Sequence, residues 1–193
     1  MNNIEHGHLP RLNAAAYRGF SVVHWTMAIR DRKTGWLSAL SHAQLREAIM
    51  HTAVKYYLLC PVYCLMPDHV HLMWMGMSVE SDQLWAAKFF RKTATDVITP
   101  CEWQREAYDH VLREEERNRG AFAAVCHYVL QNPVKAGLVN DWSGYSFSGA
   151  CLPGYPDVEP RRPDYWDVFW KLYVKRREMD DVRLNSEPKE SAP

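Results

Sequence analysis

An α+β domain of the ferredoxin-like split βαβ kind is predicted, with an antiparallel sheet, helices packed on one face and an extended C-terminal tail. Three features of the 193-residue sequence point to it. Strand and helix signals run in the order β-α-β-β-α-β-α. A Met66-Pro67-Asp68 turn joins two consecutive strand runs into a hairpin. The second of those runs, His69 to Met75, carries two histidines around one apolar residue.

The first strand signal is Phe20 to Ile29, rich in β-branched and aromatic residues. A helix follows, where Ser41 and Gln44 resemble a capping box and Leu45, Ile49, Ala53 and Val54 recur at helical spacing up to about Tyr57. Leu58 to Leu65 and His69 to Met75 are the two hairpin strands. Ser81 to Ile98 reads as a second helix, with Leu84, Trp85, Phe89 and Ala94 mostly inward and Lys88, Arg91 and Lys92 polar. Glu106 to Arg113 is a weaker fourth strand. Glu114-Glu115-Glu116 opens a third helix with acids at the positive end of its dipole, and Pro133 stops it at Asn132. The tail from about Pro153 predicts an extended segment, a short amphipathic helix over residues 164–177, and disorder after about Asp180. The organisation is thus an arm over 1–17, a main domain over 18–150, a Pro-rich, aromatic-basic tail over 151–180, and a disordered end over 181–193.

Composition narrows the function classes. Apolar residues make up 47% of the chain, enough for a core without disulfides or a structural metal. The 23 Lys and Arg balance 23 Asp and Glu, so global charge offers no argument for nucleic acid and local distribution must decide. Five cysteines without a C-x-x-C pair read as reduced packing residues of a cytosolic protein. No apolar segment approaches the roughly 20 residues a bilayer span needs, so neither export nor membrane residence is expected.

The chemistry concentrates at two places. On a strand, His69 and His71 project from one face while Val70 turns to the other, so the two imidazoles can share a divalent cation. Two ligands rarely suffice, and a third donor must come from elsewhere. Tyr128 and Asn132 stand four residues apart near a helix end and share a helical face. If that helix packs on the sheet face bearing the histidines, Asn132 supplies the third donor and Tyr128 a nucleophile, an arrangement suited to phosphodiester chemistry. Taken alone, each residue has a plainer use: half-buried strand histidines, a core tyrosine, an asparagine closing a helix. His110 and His127 read as surface residues or as supports behind the ligands, His127 lying about 100° round the helix from Tyr128.

The segment Tyr63 to Leu72 resembles the His-hydrophobic-His (HUH) motif of the single-tyrosine transposases of single-stranded DNA, and Tyr128 to Val139 resembles their catalytic helix in the form found in REP-associated tyrosine transposases of the IS200-like group. Trp103-Gln104 with Tyr108 to Arg113, and Trp142-Ser143 with Tyr145-Ser146, are similar as well, so the resemblance spans about residues 18 to 148. It implies site-specific cleavage and rejoining of single-stranded hairpin DNA through a 5′-phosphotyrosine, with Mg2+ or Mn2+ as cofactor and a monomer or homodimer as the acting unit. His69, His71 and Asn132 become the metal ligands by motif match and Tyr128 the nucleophile. Gln131 competes for the third ligand position, which spacing favours giving to Asn132. DNA contacts are expected from Lys88, Arg91, Lys92, Arg113, Lys135, Arg161, Arg162, Lys175, Arg176 and Arg177. Two other classes compete: a hairpin-binding protein that no longer cuts, and a metal-dependent phosphoesterase using water. A zinc deaminase is excluded, because Pro100-Cys101 is followed by Glu102-Trp103-Gln104 rather than a second cysteine at the required spacing.

Overall fold

The computed structural model describes residues 12–186, with side chains to residue 180. β1 (Val22–Ala28), β2 (Leu58–Met66), β3 (His69–Gly76), β4 (Tyr108–Val111) and β5 (Ser148–Cys151) form one sheet in the order β4-β1-β3-β2-β5. Every neighbouring pair is antiparallel. The order places β3 between β1 and β2, which is the split βαβ arrangement expected from the sequence.

Alternation in β1 and β3 divides the core into two layers. Val23, Trp25, Met27, Val70, Leu72 and Trp74 face α1 (Ala39–Lys55) and α2 (Gln83–Thr93), whose Leu45, Ile49, Ala86 and Phe90 complete that layer. The opposite face carries Val22, Val62, Cys64, Met66, Met73 and Met75, covered by Phe122, Cys126, Val129 and Leu130 of α3 (Arg119–Leu130). Helices therefore cover both faces, not one as expected. β2 and β3 are buried along almost their whole length, as strands packed from both sides must be.

Several boundaries differ from expectation for local reasons. The cap of α1 is Ser38, in a reciprocal box with Ser41, so the helix starts before the Ser41–Gln44 pair. Asp82 caps α2, and the chain beyond Thr93 runs on as turns to Pro100. The acidic run forms a separate 3-10 turn over Glu115–Arg117, and Asn118 caps α3 instead. That helix ends at Leu130, and a short α4 (Asn132–Lys135) restarts at once with Pro133 in its first turn, where a missing N–H costs nothing. The edge strand β5, unanticipated among the small residues Ser148-Gly149-Ala150-Cys151, pairs with β2 and crosses the expected boundary at residue 150.

The tail is part of the fold. α5 (Tyr165–Ser186) is longer than the helix expected over 164–177 and continues past Asp180, where disorder was expected; residues 187–193 lie outside the described residues. Its Tyr165 and Phe169 are fully buried in the α3 layer, where Phe169 stacks on Phe122 at 6.2 Å and the Tyr165 hydroxyl donates to the Pro61 carbonyl. Of the N-terminal arm, residues 1–11 lie outside the described residues, while Tyr17 is fully buried and donates its hydroxyl to Asp109. Among the described residues no helix is long and apolar enough to cross a membrane.

Because Phe169 fills the seam between tail and α3, Phe169→Ala is expected to destabilise the protein by about 3–5 kcal/mol, the usual cost of emptying a buried phenylalanine site. Urea unfolding measures it. A loss below about 1 kcal/mol would show that the tail does not share the core.

Candidate metal and nucleophile site

β3 pairs with β1 so that Thr26 lies directly across from His71 and Ala28 from His69. Strand alternation then gathers His69, His71, Thr26 and His24 on the face that α3 partly covers. His69 Nε2 lies 2.9 Å from His71 Nε2. The second nitrogen of each ring is engaged from behind. His69 Nδ1 lies 2.7 Å from Asp68 Oδ1, and Asp68 Oδ2 accepts from Arg32 at 3.1 Å. His71 Nδ1 lies 3.0 Å from His24 Nε2 and 3.1 Å from Thr26 Oγ1. Arg32 reaches Asp68 from a turn in which Asp31 and Arg32 both hold left-handed backbone, φ 57° and 52°.

Burial and neighbouring cations favour the neutral forms of His71 and His24. Burial above all, then His24 and His69 and the cations of Arg32 and Lys135, pushes His71 down to about 2. Burial followed by His110 and His69 lowers His24 to about 4. Burial of Asp68 favours its neutral form, but the hydrogen bond and charge of His69 together with Arg32 outweigh it and leave the carboxyl below its ordinary value.

The donor set fits a divalent cation. A carboxylate can only accept, so Asp68 places the proton of His69 on Nδ1 and leaves a lone pair on Nε2. That lone pair faces His71 Nε2 at 2.9 Å, and either a proton on His71 or a cation must lie between them. Two ligands about 2.0–2.1 Å from one ion and at right angles around it stand about 2.9 Å apart. Among the described residues no three His, Cys, Asp or Glu side chains form a metal site, so a cation at the pair would need further donors from an amide, water or substrate.

Tyr128 lies on α3, which packs on the same face, and Asn132 opens α4 directly after it. Tyr128 is 55% exposed, available to a large substrate, and Lys135 Nζ stands 3.4 Å from the centroid of its ring. Asn132 Nδ2 donates to the carbonyls of Tyr128 and Val129, closing the end of α3 and turning Oδ1, the atom a cation uses, away from those carbonyls. Gln131 is engaged elsewhere, its Nε2 lying 3.1 Å from His127 Nε2, whose ring packs edge-on against Trp142. Lys135 ties the two halves together, since its charge acts on His71 while its ammonium rests on Tyr128.

The cations expected on DNA divide into two groups. Arg91 donates to the carbonyls of Gln104 and Arg105, and Arg161 to those of Ser143, Tyr145 and Ser148. Arg176 donates to the Pro153 carbonyl, Arg177 lies 3.5 Å from the centroid of the Phe20 ring, and Arg162 pairs with Asp164. These five hold the chain to itself. Lys88 rests on the exposed Trp85, while Lys92, Arg113, Lys135 and Lys175 present exposed side chains. Sequence reasoning missed His24, Thr26, Asp68 and Arg32. The signal was present for the first two, which alternate along β1 with the same period as the histidine pair.

The split βαβ fold is shared with a solved transposase. A structure of a REP-associated tyrosine transposase bound to a REP hairpin superposes with a TM-score of 0.61 at 22% identity, over 74% of this chain and 81% of that one. The chain is also a sequence relative of the REP-associated tyrosine transposases. It is 27% identical over 142 residues, 64% of its length and 77% of the other's, to the Haemophilus influenzae protein named "Putative REP-associated tyrosine transposase". No protein-family model matches it.

The lowered histidines predict how the metal-free protein responds to acid. An unfolded histidine protonates near 6.5, whereas folded His24 protonates near 4 and His71 near 2. Between about pH 6.5 and 4 the unfolded chain therefore binds protons that the folded one refuses, and stability falls as pH falls through that window. In chelator, the urea midpoint is expected to drop from pH 7 to pH 4.5, and less steeply in His24→Gln. Equal slopes for the two proteins would contradict the burial of His24.

Proposed function

We propose that this protein cleaves and rejoins single-stranded hairpin DNA, using Tyr128 as nucleophile beside a divalent cation, Mg2+ or Mn2+, held by His69, His71 and Asn132. The observation that carries the reading is the opposed pair of imidazole nitrogens 2.9 Å apart, on the sheet face that the tyrosine helix covers. Sequence likeness to a REP-associated transposase, and a fold shared with one bound to a REP hairpin, support the substrate class. Asn132 is preferred to Gln131 as third ligand on its four-residue spacing from Tyr128; both amides are engaged through nitrogen, and each keeps its oxygen for a cation.

When bound, the cation polarises a phosphoryl oxygen and offsets the negative charge that builds in the transition state. The remaining work falls to side chains. His69 and His71 present their Nε2 lone pairs, the ring of the former fixed by Asp68. Tyr128 gives up its phenolic proton to solvent, and its oxygen bonds to phosphorus as the bond to the 3′ oxygen breaks. That oxygen leaves as a hydroxyl after taking up a proton, and the 5′ phosphate stays on the tyrosine. Attack by a 3′ hydroxyl reverses the exchange without ATP, because the ester conserves the bond energy. Lys135, beside the Tyr128 ring, places a cation where the phosphate must approach. Exposed Lys88, with its stacked Trp85, is suited to the phosphates and unpaired bases of a flanking single strand.

Incubation with hairpin DNA from the gene's own flanks and Mn2+ is expected to give a protein–DNA adduct resistant to denaturant. Tyr128→Phe abolishes the adduct while leaving hairpin affinity within about threefold, and Lys135→Ala slows its formation by roughly 100–1000-fold, the range for losing one charge-stabilising group. Tight binding with no adduct from the wild type would favour a binding protein that no longer cuts. Cleavage that survives Tyr128→Phe would favour a water-using phosphoesterase.

A further inference from the structure

The two histidines of the pair are supported in different ways. Behind His69 stands a carboxylate, which accepts only and fixes that ring in the Nδ1–H tautomer. Behind His71 stand two groups that can each donate or accept: the Thr26 hydroxyl at 3.1 Å and the His24 Nε2 at 3.0 Å, both meeting Nδ1. Thr26 is the direct cross-strand partner of His71, and His24 lies two residues along β1 on the same face, so the register of one strand pair aims both at a single ring nitrogen. Both are half-buried, and His71 is 7% exposed, which shields the contacts from competing water.

We propose that Thr26 and His24 are paired positioning residues for His71, holding its Nδ1–H so that its Nε2 lone pair stands beside that of His69 when a divalent cation is present. The inference rests on the proposed metal role of the pair. Without a cation, His71 carries its proton on Nε2 and donates it to His69, while Nδ1 accepts from the Thr26 hydroxyl. With a cation, the Nε2 proton leaves to solvent and Nδ1 takes one up from solvent, donating it to Thr26 Oγ1 or His24 Nε2. The ring is neutral before and after, and both of its nitrogens keep a partner in each state. Because the two supports are redundant, neither alone is decisive. A ligand backed by a carboxylate beside one backed by ambivalent groups also leaves only one of the two rings free to change tautomer.

The test is Mn2+ affinity, read from the free-ion EPR signal, with the 15N shifts of the His71 ring in the Zn2+-loaded protein as a second readout. Thr26→Val, which keeps side-chain shape and strand preference, and His24→Phe are each expected to weaken Mn2+ binding by about threefold or less. Together they weaken it by roughly 10–100-fold, the usual cost of losing the outer partner of a ligating histidine. The pair Thr26→Ser and His24→Gln, which restores an acceptor at both places, recovers most of the affinity, and wild-type His71 shows a protonated Nδ1. Affinity unchanged in the Val/Phe double variant overturns the inference while leaving the metal reading intact. So does a Ser/Gln pair as weak as the Val/Phe pair, which assigns the loss to packing. Absence of Mn2+ binding in the wild type overturns both.

Discussion

The antiparallel pairing of β3 with β1 and β2 is the constraint on which the rest depends. Strand side chains alternate, so a single register decides which residues of the central strand meet the α1 and α2 layer and which meet the α3 layer. A slip of one residue would drive His69 and His71 into the apolar layer of Trp25 and Trp74 and turn Val70 and Leu72 outward. Burial of large side chains on the first face, with Trp25, Val70, Leu72 and Trp74 at most 1% exposed, makes that slip prohibitive. The face that bears the histidines is thus held in place by the packing of the opposite one.

The second half of the site is fixed by a different layer. α3 packs against both the sheet and α5, with Phe122 touching Trp166, Phe169 and Trp170, so the helix that carries Tyr128 is held by two neighbours within one chain. Its last turn is closed by Asn132, and the chain re-enters a helix at that same residue without a loop, which brings Lys135 back over the Tyr128 ring. The arginines of the tail serve the same end. Arg161 draws residues 143–148 and the tail together through backbone carbonyls, and Glu159 reaches Arg46 of α1 from the same segment. A charge run that reads from composition as a nucleic-acid strap is largely spent on holding the brace.

Much of this was legible in the residues. Alternation around Val70 and the four-residue step from Tyr128 to Asn132 are local properties, visible without any tertiary information, and the strand order follows once the hairpin at Met66-Pro67-Asp68 is seen. What escaped notice depends on long-range contact. Nothing in Ser148-Gly149-Ala150-Cys151 favours a strand until β2 offers it an edge, and Arg91, Arg161 and Arg176 look solvated until distant carbonyls come within reach. The cap at Ser38 was missed because Ser41 offers the same chemistry three residues later. His24 and Thr26 were read as strand residues, which they are; their place behind His71 is set by the pairing of β1 with β3.

The central claim is that one cation joins the strand histidines to the end of the tyrosine helix. Anomalous diffraction from crystals of the protein grown with Mn2+ and an uncleavable hairpin addresses it directly. The expected result is a single strong manganese peak within bonding distance of His69 Nε2, His71 Nε2 and Asn132 Oδ1, with the Tyr128 oxygen facing the phosphate that shares the ion. A peak held by other side chains, or none at the histidine pair with the hairpin bound, would contradict the account.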